Sequence, residues 1–173
     1  ARAFAQESCQ SLDSFFLGLI SEKQRNKFAR ERKVLWSSFS KWSLKHFFTS
    51  GSETWSAFRT LINGDTIGRD EGSSIHPSEF DDLVDWFSSL NENRRSGMEV
   101  EDFISSLRVL SRYRRWKEDE GLWDDGDLTR AVAQELEDKE FLNPSVDLLM
   151  LDEAQDLTPD QIRVLIRCGA AFK

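Results

Sequence analysis

Cysteine, proline and histidine are scarce in this chain of 173 residues, which holds two Cys, three Pro and two His. Cys9 and Cys168 stand near opposite ends with no CxxC pair, and His46 and His76 stand apart, so no metal-ligand spacing exists. One long-range disulfide is compatible with this count, but two reduced thiols in an intracellular protein is the better reading. No stretch approaches the roughly 18 to 20 uninterrupted apolar residues of a membrane span. The N-terminus lacks the basic, apolar and small-residue order of a secretory signal. It opens on Ala1 rather than an initiator Met, which reads as processing, trimming or a fragment. Positive charge is also in deficit: 23 Lys and Arg against 31 Asp and Glu give a net charge of −8. The chain as a whole is therefore no basic nucleic-acid binder, and any phosphate contact needs a local patch.

What is abundant is aromatic: 13 Phe, 6 Trp and 1 Tyr, within 39% hydrophobic residues. That content supports a packed core and excludes a wholly disordered chain. The apolar residues recur at helical spacing along most of the length. Leu12, Phe15, Phe16, Leu19 and Ile20 make a first stripe. Residues 22 to 48 read as a long helix, open to a break, basic in its first half (Lys23 to Lys33) and carrying Leu35, Phe39 and Trp42 on one stripe of its second. After the break at Ser50 to Ser52, Trp55, Phe58, Leu61 and Ile62 face inward, and Asn63 to Ser74 reads as a loop. Pro77 suits a first helical position, with Phe80, Leu83, Val84, Phe87 and Leu90 on the face that follows. Val100, Phe103, Ile104, Leu107, Leu110 and Tyr113 form the next, which runs into Arg112, Arg114, Arg115, Trp116 and Lys117 before Gly121. Leu128, Ala131, Val132 and Leu136 form another, stopped at Asn143 and Pro144.

The last thirty residues differ in kind. Val146 to Leu151 is a short apolar run ending at Asp152, as in a buried parallel strand. Thr158, Pro159 and Gln161 then form a helix start with a capping box, and Ile162, Leu165 and Ile166 face inward. A lone buried strand needs neighbours for its backbone groups, and none is evident in the sequence, so the chain reads as a fragment. Between strand and helix lies Asp152-Glu153-Ala154-Gln155-Asp156. Carboxylates at the C-terminal end of a parallel strand sit where α/β sheets bind ligands. An Asp there can hold magnesium beside nucleotide phosphates, and a neighbouring Glu can activate an attacking water.

The string LLMLDEAQDLTPDQ, residues 148 to 161, resembles motif II, the Walker B segment, of superfamily 1 helicases of the UvrD/Rep type. The resemblance implies that Asp152 holds the magnesium of magnesium-ATP and that Glu153 activates the hydrolytic water. Gln155 and Asp156 would belong to the nucleotide site and link it to the DNA-binding groove. Upstream, Tyr113 to Leu128 is similar to the stretch where a helix passes from the accessory subdomain back into the first RecA-like domain, with Asp124, Asp127 and Leu128 matching an Asp-x-x-Asp-Leu pattern. Trp55 to Gly64 and Met98 to Phe103 resemble more weakly the eukaryotic UvrD-like group, which includes large proteins with tetratricopeptide and ankyrin repeats. The chain departs from the family in having no GxxxxGK[ST] loop to cradle phosphates. The family order places that loop upstream, and motif III and the second RecA-like domain downstream of Lys173. The chain alone is accordingly expected not to hydrolyse ATP.

Two weaker signals remain. Gly68 to Phe80 echoes a calcium-binding EF-hand loop, but Gly68 and Gly72 fall where carboxylates are needed; Asn93 to Phe103 echoes it less, with Arg94 and Arg95 in place of acids. Ordinary α-hairpin packing is the plainer reading of both. The basic clusters Lys23 to Lys33 and Arg112 to Lys117 suit single-stranded nucleic acid through phosphate contacts and stacking on Trp36 and Trp116, against the alternative of solvated helix faces with core tryptophans.

The expectation is a mainly α chain: a helical accessory (1B-like) subdomain over residues 1–120, then one strand–helix unit of a RecA-like α/β P-loop NTPase domain over residues 121–173. The implied function is that of a piece of an ATP-dependent UvrD-like DNA helicase, with ATP and magnesium as cofactors of the complete protein only and single-stranded nucleic acid, DNA before RNA, as partner. The alternative is a non-catalytic, helicase-derived structural or binding subunit of a larger assembly. Catalytic roles fall on Asp152 and Glu153. Candidate nucleic-acid contacts are Arg112, Arg114, Arg115, Trp116 and Lys117. The expected location is intracellular, whether nucleus, cytoplasm or an organelle.

Overall fold

Ser11 starts the first helix because its extended backbone leaves its hydroxyl free to accept the Ser14 N–H, at 3.2 Å. The structure is a computed structural model that describes residues 11–47, 51–62, 80–93, 95, 97–138 and 151–170. In chain order it holds α1 (Leu12–Leu19), α2 (Glu22–Arg25), a 3-10 turn at Arg30–Arg32, α3 (Trp36–Phe47), α4 (Ser52–Ser56) and a π-helical turn at Ala57–Ile62. There follow α5 (Phe80–Ser89), α6 (Val100–Glu120), α7 (Asp125–Asp138), a 3-10 turn at Ala154–Asp156 and α8 (Pro159–Ala170). The chain is mainly helical, and among the described residues the only β-type pairing is a single parallel bridge between Lys33 and Trp123.

Two apolar cores divide these elements. The first joins α3, α4, the π turn and α5 around α6, whose 21 residues span about 30 Å. Phe39, Phe58, Phe87, Phe103 and Tyr113 are almost wholly buried there. Each such side chain stabilises the fold by about 1.5–3 kcal/mol through area removed from water, and ring pairing adds to it. Phe87 and Phe103 stack with centroids 4.1 Å apart, while Phe58 lies 4.8 Å from Tyr113. The second core packs both α1 and α8 against α7, through Phe16, Leu19, Leu128, Val132, Val164 and Leu165. Residues from the start of the described chain therefore share a core with residues 123–168, and the first core lies between them in sequence.

Most helical faces lie where the periodicity places them; four expectations change. Residues 22 to 47 are not one helix. After α2 the chain runs through Asn26 and Lys27 into the 3-10 turn, and at Lys33 and Val34 it is extended. The cause is tertiary: Phe28 packs edge-on against Trp123, 5.4 Å between centroids, and the Val34 N–H donates to the Trp123 carbonyl at 2.7 Å. Leu35, assigned to a buried stripe, precedes α3 and is exposed, and Phe80 at the first turn of α5 is exposed as well. In α8 the inward face is Gln161, Val164, Leu165 and Cys168, whereas Ile162 and Ile166 are exposed. Cys168 carries a buried free thiol, and burial pushes its pKa up.

Arg95, in the weaker calcium-loop echo, serves α5: its guanidinium donates to the carbonyls of Leu90, at 2.9 Å, and Ser88, at 2.5 Å. The stretch 63–74 read as a loop, most of the echo over 68–80, Pro77, Pro144, His76, Cys9 and residues 146–150 of the expected strand lie outside the described residues, while Leu151, expected to end that buried strand, is irregular and exposed.

Gly51 opens α4 in the left-handed region, at φ 69°. A Cβ there would sit 2.5 Å from the hydroxyl of buried Ser43 and 3.1 Å from the Phe39 ring. Gly51→Ala therefore combines backbone strain with a clash and should destabilise the protein by more than about 1 kcal/mol, read from the midpoint of urea unfolding. An unchanged midpoint would show that α4 does not depend on this turn.

Candidate functional site

The acidic turn leads directly into α8. Thr158 and Gln161 close the capping box that the sequence announces: the Thr158 N–H donates to Gln161 Oε1 at 2.8 Å, and the Gln161 N–H to Thr158 Oγ1 at 3.3 Å. Pro159 takes the first helical position. Asp160, in the first turn, is buried and accepts from Arg163 at 2.8 Å. The helix start is thus held rigidly, and the turn before it is open. Leu151 is irregular and exposed, and Asp152, Glu153, Gln155 and Asp156 are exposed.

Glu153 adopts φ 50°, ψ 41°, the only positive φ outside glycine among the described residues. A left-handed residue with a Cβ costs roughly 1–2 kcal/mol and persists where its surroundings over-determine it. Here Asp152 Oδ1 accepts the Glu153 N–H at 3.0 Å, the Gln155 amide donates to the Glu153 carboxylate, and the 3-10 turn follows at once. Asp152, Glu153 and Gln155 are therefore one local unit, while Asp156 contributes its main chain. Its carbonyl accepts from Arg59 of the π turn at 3.2 Å. Arg59 also lies 3.5 Å from Asp125, so one guanidinium ties the acidic turn to the first turn of α7 and to the aromatic core. Among the described residues no trio of His, Cys, Asp and Glu could hold a metal ion. The described turn therefore does not by itself fit a free-standing metal centre.

A second polar cluster lies where α6 passes to α7. Lys117 and Asp124 are both buried, with Lys117 Nζ 2.6 Å from Asp124 Oδ2 and 2.5 Å from Asp127 Oδ2. The Tyr113 hydroxyl donates to the same Asp124 oxygen at 2.8 Å. Asp124 and Asp127 also exchange backbone donors, at 2.9 and 3.1 Å, and so make a capping box for α7. The Asp-x-x-Asp-Leu pattern thereby has a structural role in this chain. Burial alone would raise the Asp124 pKa, but Lys117, Tyr113 and the Asp127 N–H outweigh it and hold the carboxyl below its ordinary value. Burial and the Asp124 charge drive the Tyr113 phenol far above its own. Alongside, Lys33 sits 2.6 Å from both Asp13 and Asp125. Its burial opposes the charged form, yet the bonds and charges of Asp125 and Asp13 leave its pKa raised.

The five candidate nucleic-acid contacts do not share one surface, because consecutive helical residues fan out by about 100°. Arg112 lies over the Phe47 ring at 5.5 Å, and Trp116 stacks on Trp42 at 5.1 Å and 14°, so both turn toward α3. Lys117 is engaged by its two carboxylates, Arg115 is exposed, and Arg114 lines a cavity with Lys117. Trp36 keeps partial exposure beside Trp55 and Phe39. Sequence reading missed Arg59 and the Lys117–Asp124 pair. Nothing local marks Arg59, whereas the Asp124/Asp127 spacing does carry a capping signal.

No protein-family model matches the chain, and no curated protein and no solved structure matches it.

Breaking one side of the buried pair leaves an uncompensated charge. Lys117→Met should destabilise by about 3–5 kcal/mol, and adding Asp124→Asn should restore part of the loss; additive losses in urea unfolding would rule out coupling. The pH dependence has a definite sign. With its folded pKa depressed, Asp124 contributes fully above the ordinary carboxylate value of about 3.9, and the contribution drains away as pH falls through the lower folded value. Stability measured across that acid limb should fall less steeply in Asp124→Asn than in the unaltered protein.

Proposed function

We propose that the chain is a segment of an ATP-dependent DNA helicase of the UvrD type, combining an accessory helical lobe with the motif II turn of a RecA-like motor domain. The observation that carries this reading is the DEAQD turn itself. The residue to which the resemblance gives the hydrolytic role, Glu153, is the one strained non-glycine residue described, and it opens to solvent directly before a firmly capped helix. Strain of this kind concentrates where geometry serves a site.

Three further features support the reading. The chain leaves the second core beside Arg32 to Val34, builds the aromatic lobe, and returns alongside itself at Trp123, as an accessory subdomain inserted into a motor domain would. Ile162 and Ile166 form an exposed ridge on α8, the kind of face that packs on a sheet. Arg59 gives the lobe a direct bond to the acidic turn. On this reading the run before Asp152 is a strand of the motor sheet, ATP enters with its magnesium as substrate, and hydrolysis drives translocation along single-stranded DNA. The chain's own contribution is to hold Asp152 and Glu153 at the end of that strand and to fix the turn through Gln155 and Arg59. No described helix is long and apolar enough to cross a membrane.

A non-catalytic subunit of a larger assembly is the second reading, favoured by the exposed large apolar side chains of Trp36 and Leu44 in α3 and of Leu35 just before it.

Glu153→Gln in the full-length polypeptide separates the two. ATP turnover should drop by roughly 10²–10⁴-fold, the worth of a positioned general base, with nucleotide binding retained. Turnover that survives unchanged would remove the role given to Glu153; no nucleotide binding by the unaltered polypeptide would favour the second reading.

A further inference from the structure

Two basic stretches far apart in sequence meet at one open cavity of about 610 Å³ beside the passage from α6 to α7. Lys27 and Arg32 reach it from the segment between α2 and α3, Arg114 and Lys117 from the last turns of α6, and Arg130 from α7. Only Glu118 and Asp127 oppose these five cations, in a chain whose net charge is −8. The cations are not equivalent. Lys117 is neutralised by Asp124 and Asp127, and Arg130 lies 2.6 Å from Asp127. Among the described residues no hydrogen bond or ion pair engages the side chains of Lys27, Arg32 or Arg114. Partial burial and the like charge of Arg130 outweigh the attraction of Asp124 and Asp127 and leave the Arg114 pKa lowered.

The same wall offers no stacking surface. Phe28 and Trp123 line the cavity but are buried against each other, and the indole N–H donates to the Ala29 carbonyl at 2.7 Å. A site rich in unengaged guanidinium and ammonium donors and poor in exposed rings reads phosphate and ignores bases. We propose that this cleft is a phosphate-binding site in which Lys27, Arg32 and Arg114 grip phosphate groups, those of a single-stranded nucleic-acid backbone in the first instance. The choice of strand rests on the helicase reading; the phosphate chemistry rests on the cleft alone.

The test needs no ATP turnover, so its failure is distinct from failure at Glu153. A fluorescently labelled oligothymidylate is titrated with the full chain by anisotropy over a range of salt, with tripolyphosphate as a small-anion probe. Arg32→Ala/Arg114→Ala should weaken oligothymidylate binding at least about tenfold and shrink the salt slope by about 1.4, two phosphate contacts at roughly 0.7 each. Lys41→Ala/Arg108→Ala, exposed cations outside the cleft, should change neither. Both variant pairs remove exposed heads, and circular dichroism checks that each is folded. Binding of tripolyphosphate alone, lost in Arg32→Ala/Arg114→Ala, would support the site and assign it to a small phosphorylated ligand in place of a strand. Binding that the cleft variant leaves unchanged, or no binding of either probe, would overturn it.

Discussion

Lys117 and Asp124 face each other across 2.6 Å at the point where the long central helix hands the chain to α7. A buried ammonium and a buried carboxylate are each costly to withdraw from water, so each is tolerable only with the other and with hydrogen bonds to its remaining valences. That condition is met by Tyr113 from the aromatic core and by Asp127 from the next helix. Asp124 is at once an acceptor for the first core, the N-cap of α7, and the neighbour of Trp123, whose backbone bonds to Arg32 and Val34 hold the outgoing strand of chain. The relation between the two cores therefore runs through a few polar atoms at one crossing.

The aromatic lobe depends on α6 in a simpler way. Phe103, Leu107, Leu110 and Tyr113 present one apolar face along its length, and α3, α4, the π turn and α5 each contribute rings or aliphatic groups to it. Such packing is directionless and sums many small contacts, which is why amphipathic spacing is enough to specify it. The ring-rich interior also takes up Trp116, which the basic cluster around it would otherwise offer to a nucleic-acid base. What remains outward on the other side of α6 is charge, and at Arg114 that charge meets Lys27 and Arg32.

Much of the fold was legible from spacing and caps. The faces of α1, α5, α6 and α7, the C-terminal stop at Gly121 and the Thr158/Gln161 box all follow from local rules, because a helix start or stop is decided within one turn. Leu35, Phe80, Ile162 and Ile166 were not, because apolar periodicity says that a face exists and leaves open how far round it is covered. The candidate site divides in the same way. The DEAQD string and its helix are readable in the sequence, whereas Arg59, nearly a hundred residues upstream of Asp156, has no local mark of its role. The basic cluster divides as well: the five candidates between Arg112 and Lys117 point in several directions on the helix, and only the packing decides which of them meet water, a ring or a carboxylate.

By itself, then, the sequence determined the helical character of the chain, its caps, its aromatic interior and the exposed acidic turn, since each depends on residues within a few positions of one another. Only the tertiary structure decided that residues 26–35 leave the helix to run beside Trp123, that Lys117 is a buried structural cation while Arg114 is an unengaged one, and that two basic segments line a single cleft. Those outcomes hinge on which distant groups end up within a few ångströms, and charge and hydrogen bonding act over just such distances, whatever the separation along the chain.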